Sequence, residues 1–132
     1  MPATEDVDNV RTAVEEAEWR TALDLLDRAE ATGPTAETLE LRAQAAYGNG
    51  DFEASIAAWE DLHQYFLHTG HTAEAARAAA MTAMYLMMDT GLMAPVRGWL
   101  RRAERLLGDD DVPARAIVAM VRTYERFMCG DM

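Results

Sequence analysis

Apolar residues recur along this chain at three- and four-residue spacing, the repeat of one face of an α-helix. No segment alternates apolar and polar residues as a half-buried strand would. Seven of the eight glycines, Gly33, Gly48, Gly50, Gly70, Gly91, Gly108 and Gly130, fall where a helical pattern stops, as expected of residues that take left-handed C-cap geometry cheaply. Only Gly98 lies inside a helical stretch. The pattern predicts helices at about 5–16, 18–32, 36–48, 52–69, 72–90, 95–107 and 113–129. Thr35 and Asp51 are placed to cap the third and fourth, and Pro95 and Pro113 suit a first helical turn. Asp109, Asp110 and Asp111 precede the seventh, at the positive end of its dipole.

Seven helices joined by short connections prompt a search for internal repeats. Ala17-Glu18-Trp19-Arg20-Thr21-Ala22-Leu23 matches Gly50-Asp51-Phe52-Glu53-Ala54-Ser55-Ile56. In both, a tight turn delivers an aromatic, a small residue follows three positions on, and an aliphatic one comes next. A third copy begins at Gly91-Leu92-Met93 and runs through Val96, Leu100 and Ala103, and Gly130-Asp131-Met132 echoes the start of another.

These residues resemble the tetratricopeptide repeat, in which small residues let two helices of a pair approach and an aromatic packs between them after a Gly-Asp turn. By that resemblance the small sites are Ala22, Ala29, Ala43 and Ser55, the large packing sites are Trp19, Leu26, Phe52 and Trp59, and Pro34 ends a repeat. The implied fold is all-α, a helical-repeat solenoid of about seven antiparallel helices, with repeats near 3–34, 35–70 and 71–108 and a partial one at 112–132. The match is best over residues 3–69. Beyond it the repeats lengthen and Gly91-Leu92 replaces Gly-Asp. The stretches Gly91 to Leu107 and Gly50 to Leu62 are also similar to repeats in the long tetratricopeptide regions of actinobacterial LuxR-type transcription regulators, where the array precedes a helix-turn-helix. The resemblance implies a sensory or interaction segment, either the array alone or a piece of a longer protein.

In such an array the first helix of each pair lines the concave face. That places Glu40, Gln44 and Tyr47, then Met81, Tyr85 and Met88, then Met120, Tyr124 and Phe127 on a partner-binding surface. Methionines repack at low cost, so such a face suits a peptide or an amphipathic helix. The alternative is that Met81, Met84 and Met88 are ordinary core. The seventh helix spreads Ile117, Val118, Met120, Val121, Tyr124, Phe127 and Met128 over more of its circumference than one neighbour covers, with Arg115, Arg122 and Arg126 outside. It is expected to pack on a following helix or on a second copy of this chain.

Charge narrows the partners. The chain has 132 residues, 23 acidic and 12 basic, all of the latter Arg, and a net charge of −11. Such acidity repels phosphate backbones and anionic membranes at long range and favours a basic or amphipathic protein or peptide. Arg97, Arg101 and Arg105, with Arg102 beside them, form the densest basic stripe. It reads either as a phosphate or nucleic-acid site or, more plainly, as a solvated face balanced by Glu104 and Asp109–Asp111.

Chemistry-bearing residues are sparse. His63, His68 and His71 have no Cys or carboxylate at zinc-like spacing. The single Cys129 lacks a nearby His and reads as a small buried apolar residue. No phosphate loop, nucleophile elbow or paired-carboxylate frame stands out. No cofactor, metal or catalytic residue is therefore expected, and an enzyme is the least favoured class, behind a regulator's segment and a free-standing scaffold or chaperone-like adaptor. The acidic N-terminus lacks a signal-peptide core, and the longest nearly apolar run, Ala78 to Met88, falls short of the ~20 residues a membrane span needs, so a cytoplasmic setting is expected.

Overall fold

The computed structural model describes residues 2–109 and 112–130, with side chains from Val7 onward. Among these residues there are seven helices and no strand: α1 (Pro2–Glu15), α2 (Trp19–Ala29), α3 (Ala36–Gly48), α4 (Phe52–His68), α5 (Thr72–Asp89), α6 (Met93–Leu107) and α7 (Pro113–Met128). All seven expected helices are present, with ends displaced by at most three residues. Asp110, Asp111, Asp131 and Met132 lie outside the described residues, and with them most of the acidic run and of the fourth repeat start.

One left-handed residue follows every helix. Ala17, Gly33, Gly50, Gly70, Gly91, Gly108 and Gly130 all have positive φ. Ala17, at 58°, takes the geometry that Gly50 takes at 81°, so the sequence match between the two segments extends to the backbone. An alanine held there costs roughly 1–2 kcal/mol. Gly48 departs from expectation, because it stays helical as the last residue of α3. Its missing side chain serves packing instead: a Cβ there would fall inside the indole of Trp19.

The caps form as the sequence indicates. Thr35 and Thr38 make a reciprocal box, Thr35 N–H donating to Thr38 Oγ1 at 2.8 Å and Thr38 N–H to Thr35 Oγ1 at 3.2 Å. Asp51 accepts from Ala54 N–H at 3.1 Å. Pro113 opens α7, and Pro95 lies in the first turn of α6.

The chain divides into two compact units, residues 1–61 and 62–132, with the division inside α4. In the first, α1, α2 and α3 pack on one another around Val10, Ala13, Ala22, Leu26, Leu41 and Ala45. Glu30, just past α2, accepts from Arg42 Nε at 2.8 Å and Thr38 Oγ1 at 3.1 Å, fastening α3 to the end of α2. The start of α4 joins through Ser55, fully buried, whose hydroxyl donates to the Ala43 carbonyl at 2.8 Å. The small sites Ala22, Ala29, Ala43 and Ser55 are all buried, as are Leu26 and Trp59. Phe52 is not. It is 42% exposed and meets Tyr47 edge-on at 5.4 Å across the turn, instead of packing between helices.

In the second unit α5 contacts both α6 and α7, which contact each other. Ala76, Ala79, Ala80 and Ala83 of α5 face Val96, Leu100, Ala103 and Leu107 of α6 and Ala114, Val118 and Val121 of α7 in one core cluster. Short side chains on the central helix let both neighbours approach closely.

Two helical glycines make opposite predictions. Gly48→Ala should lower stability by about 1–3 kcal/mol, because the new methyl displaces a packed indole. Gly98→Ala, with nothing within 4 Å of its Cβ, should raise stability by about 0.5–1 kcal/mol through helix propensity alone. Urea midpoints of the two variants moving in the same direction would contradict this packing.

Candidate interaction surface

α5 and α7 leave an open groove between them. Met84, Met87 and Met88 line it from α5, and Tyr124 and Met128 from α7, around a volume of about 310 Å³. Five uncharged side chains meet here, and three of them, Met88, Tyr124 and Met128, are at least half exposed. Phe127, 61% exposed, and Met120, 42% exposed, continue the apolar strip along α7. Ala116, Met120, Thr123 and Phe127, all exposed, follow four-three-four spacing, so this face of α7 carries no charge over three turns.

Of the nine residues placed on a binding face, the structure brings Met88 and Tyr124 together in this groove, with Phe127 and Met120 alongside. Met81 and Tyr85 are half-buried on α5 and do not line it. Glu40, half-buried, and Gln44 and Tyr47, exposed, stand on α3 in the first unit. Met87, adjacent in sequence to Met88, is buried to 6% and belongs to the core as well as to the groove floor.

Of the α7 arginines expected outside, Arg126 is exposed but Arg115 and Arg122 are half-buried. Glu125 is buried and accepts from Arg97 Nε of α6 at 3.1 Å and from Arg122 Nη1 at 3.2 Å. Arg122 turns inward and also holds Glu104 of α6 through two bonds, at 2.6 and 3.2 Å. Arg115 reaches the Gly108 carbonyl. This polar network locks α7 to α6 and leaves the apolar excess of α7 on the opposite side, at the groove. Sequence reasoning missed Glu125, whose signal was an acidic residue at helical spacing on the apolar face of Ala114, Val118 and Val121.

Cys129 is exposed, contrary to the expectation of a buried thiol, because it follows the last turn of α7 instead of lying within it. Its sulfur accepts from Arg97 Nη2 at 2.9 Å.

His63 is fully buried. Its Nδ1–H donates to the Ala75 carbonyl of α5 at 2.8 Å, its ring meets Trp99 edge-on at 5.3 Å, and Nε2 has no hydrogen-bond partner. Burial, reinforced by the Arg102 charge, lowers its pKa below the ordinary value of 6.5, partly offset by the Ala75 bond. Among the described residues no group of three or more His, Cys, Asp or Glu is arranged to hold a metal ion, and none of the helices is long and apolar enough to cross a membrane.

No protein-family model, no curated protein and no solved structure matches this chain. A functional reading rests on the geometry and on the repeat pattern in the sequence.

The buried histidine gives a pH prediction. Below about pH 6.5 the unfolded chain takes up a proton at His63 that the folded chain refuses, so folding stability falls as pH drops from there. His63→Asn, whose amide can still donate to Ala75, should flatten that decline between neutral and mildly acidic pH. Parallel urea-midpoint profiles for the two proteins would contradict it.

Proposed function

We propose that this chain is a non-enzymatic interaction module, a solenoid of tetratricopeptide-like helix pairs that takes a protein or peptide partner on the α5–α7 groove. The sensory or interaction region of a cytoplasmic bacterial transcription regulator is its most specific form, and that form rests on the sequence resemblance at Gly91 to Leu107. Support for the repeat reading comes from burial at the expected small sites, from the left-handed residue after each helix, and from the contact of each first helix with the next two in its unit. The exposed aromatic Phe52 and the lengthened repeats are departures from the family pattern.

The observation that carries the function is the uncharged Met- and Tyr-lined groove, left open where α7 has committed its polar stripe to α6. Methionine side chains adapt to varied apolar shapes, and Tyr124 presents a rigid, half-exposed ring. A volume near 310 Å³ is at the lower end for small-molecule pockets and suits the apolar anchors of an amphipathic helix. Charge refines the partner. Fifteen acidic residues and four arginines fall within residues 1–61, against eight and eight within 62–132. The unit holding the groove is balanced, so anchoring there is apolar, and basic character in the partner would be read by the first unit.

Capture from a lysate of the source organism, wild type against Tyr124→Glu, tests this reading. The bound protein should be lost from the variant while circular dichroism and the melting temperature stay unchanged. Retained capture, or an unfolded variant, would defeat the proposal. A dimer in light scattering that Tyr124→Glu dissolves would instead assign the groove to a second copy packed through α7.

A further inference from the structure

Helix α6 carries charge of the opposite sign to its chain. It holds four arginines and one glutamate in a sequence of net charge −11. Arg97 is engaged by Glu125, and Glu104, one of the expected counter-charges for the stripe, is held by Arg122, while Asp110 and Asp111 of the acidic run expected beside it lie outside the described residues. Arg101, Arg102 and Arg105 therefore make no ion pair among the described residues, although carboxylates outnumber arginines almost two to one along the chain. Arg102 lies over the Trp99 ring, 4.6 Å from its centroid, which holds the guanidinium in place.

These arginines border a depression. Gly98 is exposed in the middle of α6, and no atom stands within 4 Å of where its Cβ would be. On one side a hollow of about 450 Å³ is lined by Gly98, Arg101, Glu104 and Arg105. On the other, one of about 350 Å³ is lined by Pro95, Gly98, Trp99, Arg102 and Arg105. A helix-interior glycine weakens the helix, and no contact among the described residues uses its bareness.

We infer that this face of α6 docks an acidic helix of a partner protein, its backbone seated at Gly98 and its carboxylates on Arg101, Arg102 and Arg105. Ala94, Gly98, Arg101, Arg102 and Arg105 follow the spacing of one helix face, and Gly98 to Arg105 covers about 10 Å of axis, two turns. Carboxylates at three- and four-residue spacing on a crossing helix match that length, and each guanidinium is a fork of N–H donors to which one carboxylate fits. Charge complementarity selects this occupant over nucleic acid. A duplex bears a charge every ~1.7 Å and meets the repulsion of the whole acidic chain, whereas a peptide with a few carboxylates places them within one Debye length of the arginines. The surface shares no lining residue with the α5–α7 groove, and it stands whether or not that groove binds anything.

The test is fluorescence anisotropy of a fluorescein-labelled Ala/Glu-rich helical peptide with the intact chain at low and moderate salt. Binding should weaken with salt, and should fall at least about tenfold in the Arg101→Glu, Arg105→Glu double variant. Gly98→Leu, which fills the depression and strengthens the helix, should lose comparable affinity while its melting temperature rises. Tyr124→Glu should leave the titration unchanged even where it abolishes capture at the groove. Unaltered peptide binding in both α6 variants would overturn the inference. So would tighter binding of an oligonucleotide or inorganic phosphate to the same arginines, or arginine-dependent self-association without peptide binding.

Discussion

The close approach of helices to an alanine-lined α5 is the constraint on which the second unit depends. Ala75, Ala76, Ala78, Ala79, Ala80 and Ala83 are all fully buried, so α5 presents a thin, nearly featureless surface to its neighbours. A helix of this composition has high intrinsic propensity and pays almost no side-chain entropy on burial. It contributes little apolar area of its own, and the bulk comes from Val96, Leu100 and Leu107 of α6 and from Val118 and Val121 of α7. Large apolar side chains return to α5 from Met81 onward, and Met84, Met87 and Met88 among them line the groove. That change in girth along one helix is where the groove opens.

Polar interactions fix which side of α7 faces that groove. Glu125 is buried between Arg97 and Arg122, and Arg122 is shared with Glu104. A buried carboxylate left without its arginines would be costly, so the network sets the rotation of α7 about its axis as firmly as Val118 and Val121 do. The consequence is a helix that buries Val118 and Val121 in the core, sets Arg122 and Glu125 against α6, and leaves Met120, Tyr124, Phe127 and Met128 toward solvent. On α4 a comparable device recurs in neutral form, with Ser55 and His63 each donating to a helix carbonyl twelve residues on or back, Ala43 and Ala75.

Helix positions were legible because they depend on local properties. Glycine tolerates the left-handed turn after six of the seven helices, and after α1 the alignment of Ala17 with Gly50 carried the same information. What depends on rotation about a helix axis was less legible. Spacing put Met88, Tyr124 and Phe127 on an open face, yet it could not separate Met88 from Met87, or place Tyr85 and Met81 half inside. Gly48 looked like a cap and is a packing contact, since Trp19 lies 29 residues earlier. Glu104 looked like the counter-charge of its own helix face but pairs with Arg122, 18 residues on. Phe52 matched a repeat position, but its ring partner is Tyr47 across the turn.

The central claim, that α5 and α7 pack closely while leaving a methionine-lined strip uncovered, is tested most directly by peroxide oxidation of the native chain read by peptide mass spectrometry. Thioether oxidation follows exposure. Met88, Met120 and Met128 should convert rapidly and Met87 slowly, although Met87 and Met88 are consecutive residues. Equal rates at Met87 and Met88, or protection of Met88 and Met128 in the isolated chain, would contradict the account.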